Sequence, residues 1–173
     1  MYFVGIDTSL QHLGISLLKY DDKKFFIFLL DYFHFNLNKS ENIKKFSDIV
    51  IKYNKKYKPL YVIEKVFPMK SHSRKSIFNF AYAYGVIKGI LISNNSNFIE
   101  MYPQRWKRLV RTTSVKETSI ERFKEIFTNW ENTKFPIKND HIVESTLIVI
   151  SFLIDTYEDR VYLLEKLKGE IKK

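Results

Sequence analysis

Tyr2-Phe-Val-Gly5-Ile-Asp7, Thr8-Ser-Leu-Gln-His12 and Leu13-Gly14-Ile-Ser-Leu-Leu-Lys-Tyr20 read as strand, tight loop and strand, and the rest of the chain is ordered outward from them. The first run is apolar until it ends in a carboxylate. Asp21-Asp22-Lys23-Lys24 is a turn signal and Phe25–Phe35 a β-favouring run, so three consecutive strands form an antiparallel meander. With Ser40 as N-cap, Ile43, Phe46, Ile49, Val50 and Tyr53 fall on one face of a helix that Pro59 stops. Leu60-Tyr-Val-Ile-Glu64 is a short buried strand that again ends in a carboxylate.

Further along, the pattern predicts a long helix over Ser76–Ser93, a strand over Asn97–Tyr102 and a small helix over Gln104–Val110. Helices follow at Lys116–Phe127 and from Asp140 to about Tyr157, and the charged segment Asp159–Lys173 reads as a last helix. The order βββαβαβ, then helices, predicts an α/β fold: one domain over residues 1–173, with a five-stranded mixed sheet flanked by helices. Such a sheet presents its reactive residues where strands 1 and 4 end side by side.

Composition narrows the chemistry. The 173 residues carry 29 Lys and Arg against 19 Asp and Glu, a net charge of +10, and 45% are hydrophobic, enough for a real core. The absence of cysteine excludes disulfides, Cys-ligated zinc, iron–sulfur clusters and thiol nucleophiles. The N-terminal residues show no basic secretory n-region, and no uninterrupted apolar run approaches the ~18 residues of a membrane span, so an intracellular protein is expected. The basic excess points to a polyanion and concentrates in two windows free of acids. One holds Lys65, Lys70, Arg74 and Lys75; the other holds Arg105, Lys107, Arg108, Arg111 and Lys116. Phosphate contacts from such residues give affinity without sequence specificity. Of the interleaved aromatics, Phe67 and Trp106 are candidates to stack on unpaired bases, whereas Phe78 and Tyr82 read better as core.

The isolated acids are more informative. Asp7 and Glu64 end apolar strands, and Asp140 and Glu144 open the apolar helix on one face, with His141 and Glu144 at i, i+3. Taken singly, Asp7 can cap a turn, Glu64 can pair with Lys65 or Lys116, and Asp140 can cap its helix. Together they form a set of hard oxygen donors suited to Mg²⁺ or Mn²⁺, whose clustering is unfavourable without a cation between them.

Gly5-Ile-Asp7-Thr-Ser-Leu-Gln-His-Leu-Gly14-Ile-Ser resembles the first motif of RuvC-type Holliday junction resolvases, members of the RNase H-like (retroviral integrase) superfamily. Val62-Ile-Glu64-Lys-Val-Phe67 resembles their second acidic strand, and Tyr102-Pro-Gln-Arg-Trp-Lys107 their segment after strand 5. Phe78-Asn-Phe-Ala-Tyr-Ala-Tyr-Gly85-Val-Ile-Lys-Gly89 is similar to the helix near their dimer interface, and Asp140-His-Ile-Val-Glu144 to their last acidic helix.

The resemblance, from Gly5 to about Ile150, implies an RNase H-like fold and nicking of four-way DNA junctions by a homodimer. It implies Mg²⁺ or Mn²⁺, two ions per site, held by Asp7, Glu64, Glu144 and either Asp140 or His141. Lys116 stands where the family often has a lysine near the scissile phosphate, for catalysis or for binding. DNA contacts fall to Lys65, Phe67, Lys70, Arg74, Lys75, Arg105, Lys107, Arg108 and Arg111. An RNase H-type or flap nuclease, or a basic nucleic-acid-binding module without catalysis, is an alternative.

Overall fold

The computed structural model describes residues 1–65, 73–157 and 160–172. Its strands are β1 (Tyr2–Asp7), β2 (Leu13–Asp21), β3 (Phe26–Phe35), β4 (Leu60–Glu64), β5 (Phe98–Met101) and β6 (Lys168–Ile171). They form one sheet in the order β5-β4-β1-β2-β3-β6. β1, β2 and β3 are the antiparallel meander, and β4, β5 and β6 join it in parallel. The helices are α1 (Ser40–Lys56), α2 (Arg74–Ser93), α3 (Pro103–Leu109), α4 (Lys116–Ile126), α5 (Asp140–Thr156) and α6 (Arg160–Lys166).

The α/β class and the predicted strand order hold, with six strands rather than five. The C-terminal segment is a short helix followed by β6, not one helix. Lys168-Gly-Glu-Ile171 is too short and charged to stand out as a strand, yet it alternates exposed and buried residues along the free edge of β3. Gly169 lets it pass over the Phe127 ring, since a Cβ there would lie 2.4 Å from it. Two caps also differ from expectation. Lys39, with no side-chain bond, precedes α1, and Asn139 caps α5 by accepting from the Ile142 N–H. Asp140 is therefore free of the capping duty.

The period-2 alternation of the strands sorts the core onto two faces. Val4, Ile6, Leu13, Ile15, Leu17, Tyr61 and Ile63 pack with Phe46, Val50 and Tyr53 of α1 and Ala83, Ile87 and Leu91 of α2. Phe3, Leu18, Tyr20 and Val62 face the other way, toward α3, α4, α5 and α6. Asp7 shares parity with Phe3, and Glu64 with Val62, so both terminal carboxylates lie on the α5 side.

α5 is buried along nearly its whole length, from Ile142 to Ile154, which explains why it is apolar around its circumference. It rests directly on β1 and β2. A Cβ on Gly5 would lie 1.8 Å from the Ser145 carbonyl oxygen, and one on Gly14 would lie 2.0 Å from that of His141. Between these contacts the buried Ser16 hydroxyl lies 2.6 Å from Ser145 Oγ and accepts from Thr146 Oγ1 at 2.8 Å, so the buried hydroxyls are satisfied.

Gly5→Ala and Gly14→Ala each force the α5 backbone off the sheet. Each substitution should cost about 3 kcal/mol and lower Tm by roughly 6–12 °C. Gly85→Ala in α2 meets nothing within 4 Å, so it should leave Tm unchanged or raise it by roughly 2–4 °C through helix propensity. Thermal unfolding of the three variants checks the contrast.

Candidate active site

The parallel pairing of β1 with β4 sets Ile6 beside Ile63, so Asp7 and Glu64 emerge side by side at the carboxyl ends of their strands. The Thr8 hydroxyl donates to the Glu64 carbonyl at 2.9 Å and ties the two exits together. The first turn of α5 closes the group from above with Asp140, His141 and Glu144. The acids predicted from sequence are thus brought together, and each has a distinct partner.

Asp7 is almost fully buried, and its Oδ2 lies 2.6 Å from His141 Nδ1. Burial pushes its carboxyl well above the ordinary range, helped by the Glu144 charge, while a hydrogen bond with Glu64 opposes the shift. Burial and the Asp7 charge likewise raise Glu64, against the hydrogen bond it accepts from Trp106 Nε1 at 2.8 Å. Burial lowers His141, against the charges of Asp140, Glu144 and Glu64, which disfavours a charged ring at its contact with Asp7.

Glu144 accepts from Lys107 Nζ at 3.0 Å and from the Ser119 hydroxyl at 3.1 Å. Asp140 pairs with the Lys116 ammonium at 2.6 Å. Burial raises the Asp140 carboxyl, but the Lys116 hydrogen bond and the charges of His141 and Lys116 outweigh it and leave it lowered. Glu64 pairs with neither Lys65 nor Lys116; its partners are Trp106 and Asp7.

The basic residues divide. Lys107 and Lys116 lie inside the acidic cluster. Lys65 turns away, 3.3 Å from Glu100 and 4.9 Å from the centroid of Tyr102. Glu100 also receives Lys88 and Tyr84 of α2, and these hydrogen bonds hold its carboxyl at about 2. Arg105 is paired with Asp155 at 2.6 Å, whereas Arg74, Lys75, Arg108 and Arg111 are exposed, Arg111 in the left-handed region at φ 60°. Phe67 and Lys70 lie outside the described residues.

Two aromatic expectations are overturned. Trp106 is fully buried and serves Glu64 rather than open surface, whereas Phe78 and Tyr82, read as core, are 70% and 45% exposed. α2 packs only one stripe, Ala83, Ile87 and Leu91, against the sheet. By length and composition α2 alone among the described helices could cross a membrane. Here its Tyr84 and Lys88 are bound to β5 through Glu100.

The sequence points to Trp106 and Lys107 as DNA contacts rather than as donors to Glu64 and Glu144, and it does not mark Ser119. Only the Pro103 start of α3, just past β5, hints that Trp106 and Lys107 return to the site. Nor does the sequence mark the approach of His12 and His34 to His141, in a group of near-parallel rings. Burial lowers His34, and the charges of His12 and His141 add to the shift.

The donor set fits a divalent cation in type and charge: hard oxygens, two of which, on Asp7 and Glu64, belong to carboxyls raised by burial and by neighbouring acids. As the side chains stand, no three His, Asp or Glu groups among the described residues converge to hold an ion. Lys107 and Lys116 supply positive charge at two of the acids instead.

No protein-family model matches the sequence, and no curated protein matches it. Solved structures do. RuvC of Thermus thermophilus in complex with Holliday junction substrate superposes with a TM-score of 0.66 at 15% identity, over 87% of this chain and 92% of that one. The yeast mitochondrial Holliday junction resolvase Ydc2 gives 0.58 at 12% identity, over 95% and 81%. The fowlpox virus resolvase with its substrate Holliday junction DNA gives 0.57 at 18% identity, over 91% and 100%. The RNase H-like fold of these nucleases is the fold of this chain.

A carboxyl raised by burial binds its proton more tightly folded than unfolded. The stability this gives is full below the ordinary carboxyl range and is lost as pH rises toward the raised value. Asp7→Asn should therefore stabilise the protein in chelator by about 1 kcal/mol or more, roughly 2–4 °C, at pH 8, and by less at pH 5. Equal Tm differences at the two pH values would contradict the buried charge.

Proposed function

We propose that this chain is a RuvC-type Holliday junction resolvase, a divalent-metal-dependent endonuclease that resolves four-way DNA junctions by paired symmetric nicks. The observation that carries the reading is the meeting of Asp7, Glu64 and the first turn of α5 at one end of this fold's sheet. Asp7, Glu64 and Glu144, with Asp140 or His141, would hold Mg²⁺ or Mn²⁺, two ions in all. Bound there, the metal would supply an activated water and stabilise the leaving oxygen of phosphodiester hydrolysis. Trp106 and Ser119 fix the rotamers of Glu64 and Glu144. Lys107 and Lys116 can pass from carboxylate to phosphate, so the arriving strand is neutralised by groups already in the site.

Arg74 and Lys75 open α2, and Arg105, Arg108 and Arg111 lie on or just after α3. Both segments leave the same ends of β4 and β5 as the catalytic acids do, and they would carry the arms of the junction by backbone contacts. Lys65 joins them if it is released from Glu100, and Phe67 and Lys70 belong to the same basic stretch. The soluble protein would act inside the cell.

The test is a cleavage assay on a synthetic four-way junction with Mg²⁺, Mn²⁺ or chelator, beside flap and RNA–DNA hybrid substrates. The wild type should nick the junction only with metal. Asp7→Asn and Glu64→Gln should lower cleavage by roughly 10³-fold or more while binding persists. Junction cleavage by Asp7→Asn at the wild-type rate would refute the site; cleavage of flap or hybrid with the junction untouched would refute the substrate.

Paired nicks on a two-fold symmetric substrate call for a two-fold dimer. Exposed Ile77, Phe78 and Tyr82 support α2 as its face. Phe78→Asp should give a monomer in analytical ultracentrifugation that nicks the two strands without coordination. A dimer in Phe78→Asp as tight as the wild type would rule out this face.

A further inference from the structure

His12, His34 and His141 bring three of the chain's four imidazoles together beside the acids. Their planes lie within 9–24° of parallel, with centroids 5.2 Å apart for His12 and His141, 5.4 Å for His12 and His34, and 6.0 Å for His34 and His141. Each ring comes from a different element. His12 ends the loop after β1, and His34 pairs with Gly14 in the β2–β3 ladder, which puts it on the α5 face. His141 is the second residue of α5.

Parallel rings this far apart are offset, so their neighbours leave part of each face uncovered. His12 and His34 are exposed, and among the described residues their ring nitrogens make no hydrogen bond. Rings needed for packing would be buried, and rings holding a metal would converge on one point, which no three His, Asp or Glu groups do among the described residues. What remains is an aromatic surface that abuts Asp7 through His141 Nδ1, 2.6 Å from its carboxylate.

We propose that His12 and His34 form a stacking platform for an unpaired nucleobase flanking the scissile phosphate. The inference rests on the junction-nuclease reading and names a contact of that same site. A base at a branch point can lose its stacking neighbour, and a ring face replaces it without regard to sequence, because every base has a π-face. A phosphate within reach of Asp7 brings the bases of its own nucleotides to the rings beside Asp7.

The test places 2-aminopurine at the nucleotides flanking the incision point of a four-way junction and binds the full chain in chelator, so that nothing is cut. Wild-type protein should quench the probe. The His12→Ala, His34→Ala double variant should lose the quench and bind the junction roughly 5- to 150-fold more weakly. The His12→Phe, His34→Phe variant keeps the ring faces and lacks the nitrogens, so it should retain both quench and affinity. If the Phe variant behaves like the Ala variant, the nitrogens are what matter and the platform is refuted. If the Ala variant quenches and binds like the wild type, it is refuted as well. A wild type that binds no junction would instead overturn the functional reading, and the platform with it.

Discussion

The contact on which the rest depends is backbone against backbone: α5 lying on β1 and β2 with no side chain between them at Gly5 and Gly14. A helix packed on a sheet is normally held off by side chains from both sides. Here two missing Cβ atoms let the helix down onto the strands, over the last residues of β1 and the first of β2. The first turn of α5 therefore reaches Asp7, and a carboxylate on the sheet and an imidazole on the helix meet at 2.6 Å. The Ser16, Ser145 and Thr146 hydroxyls fill the polar requirement of that contact, which neither a larger residue nor an apolar one would do.

Given that contact, topology collects the remaining chemistry at one end of the sheet. β1, β4 and β5 are mutually parallel, so the segments that follow them all leave from the same end of the sheet. α2 begins there with Arg74 and Lys75, α3 begins there and returns Trp106 and Lys107 to the carboxylates, and α5 begins there with its acids. Carboxyl ends of parallel strands are where such sheets bind ligands, and the reason is this convergence of starts and ends. The basic windows are far apart in sequence and flank the acids because both follow strands of the parallel pair.

Most of this was legible in the sequence because it depended on local pattern. Apolar runs ending in a single acid located β1, β4 and their carboxylates, and helical spacing located α1 and α5. The misses share a cause, since each was decided by a partner distant in sequence. β6 forms because the edge of β3 is free and Gly169 can pass Phe127; its own four residues look like a charged tail. Trp106 looked like an exposed aromatic among arginines, and only the fold reveals that its indole N–H has a buried carboxylate to satisfy. Phe78 and Tyr82 read as core because α2 is apolar all round, but the sheet covers only one stripe of it. Asp140 read as a cap because the residue before it, Asn139, is as good a cap, and sequence does not rank the two.

The electrostatics of the site give the arrangement its direction. Asp7 and Glu64 stand in a chain of net charge +10, yet burial raises both carboxyls; the Lys107 charge opposes this only in part, and Lys107 and Lys116 pair with Glu144 and Asp140. An anion approaching from solvent meets the exposed arginines first and the two lysines next. On the proposed reading, a lysine that turned outward to a phosphate would leave its acid without that cation, and the pocket would become more negative and better suited to a hard cation. Phosphate binding at the rim and cation binding within would then favour one another through the Lys107–Glu144 and Lys116–Asp140 pairs. The same charges that hold the free site together are those that a phosphate would take from it.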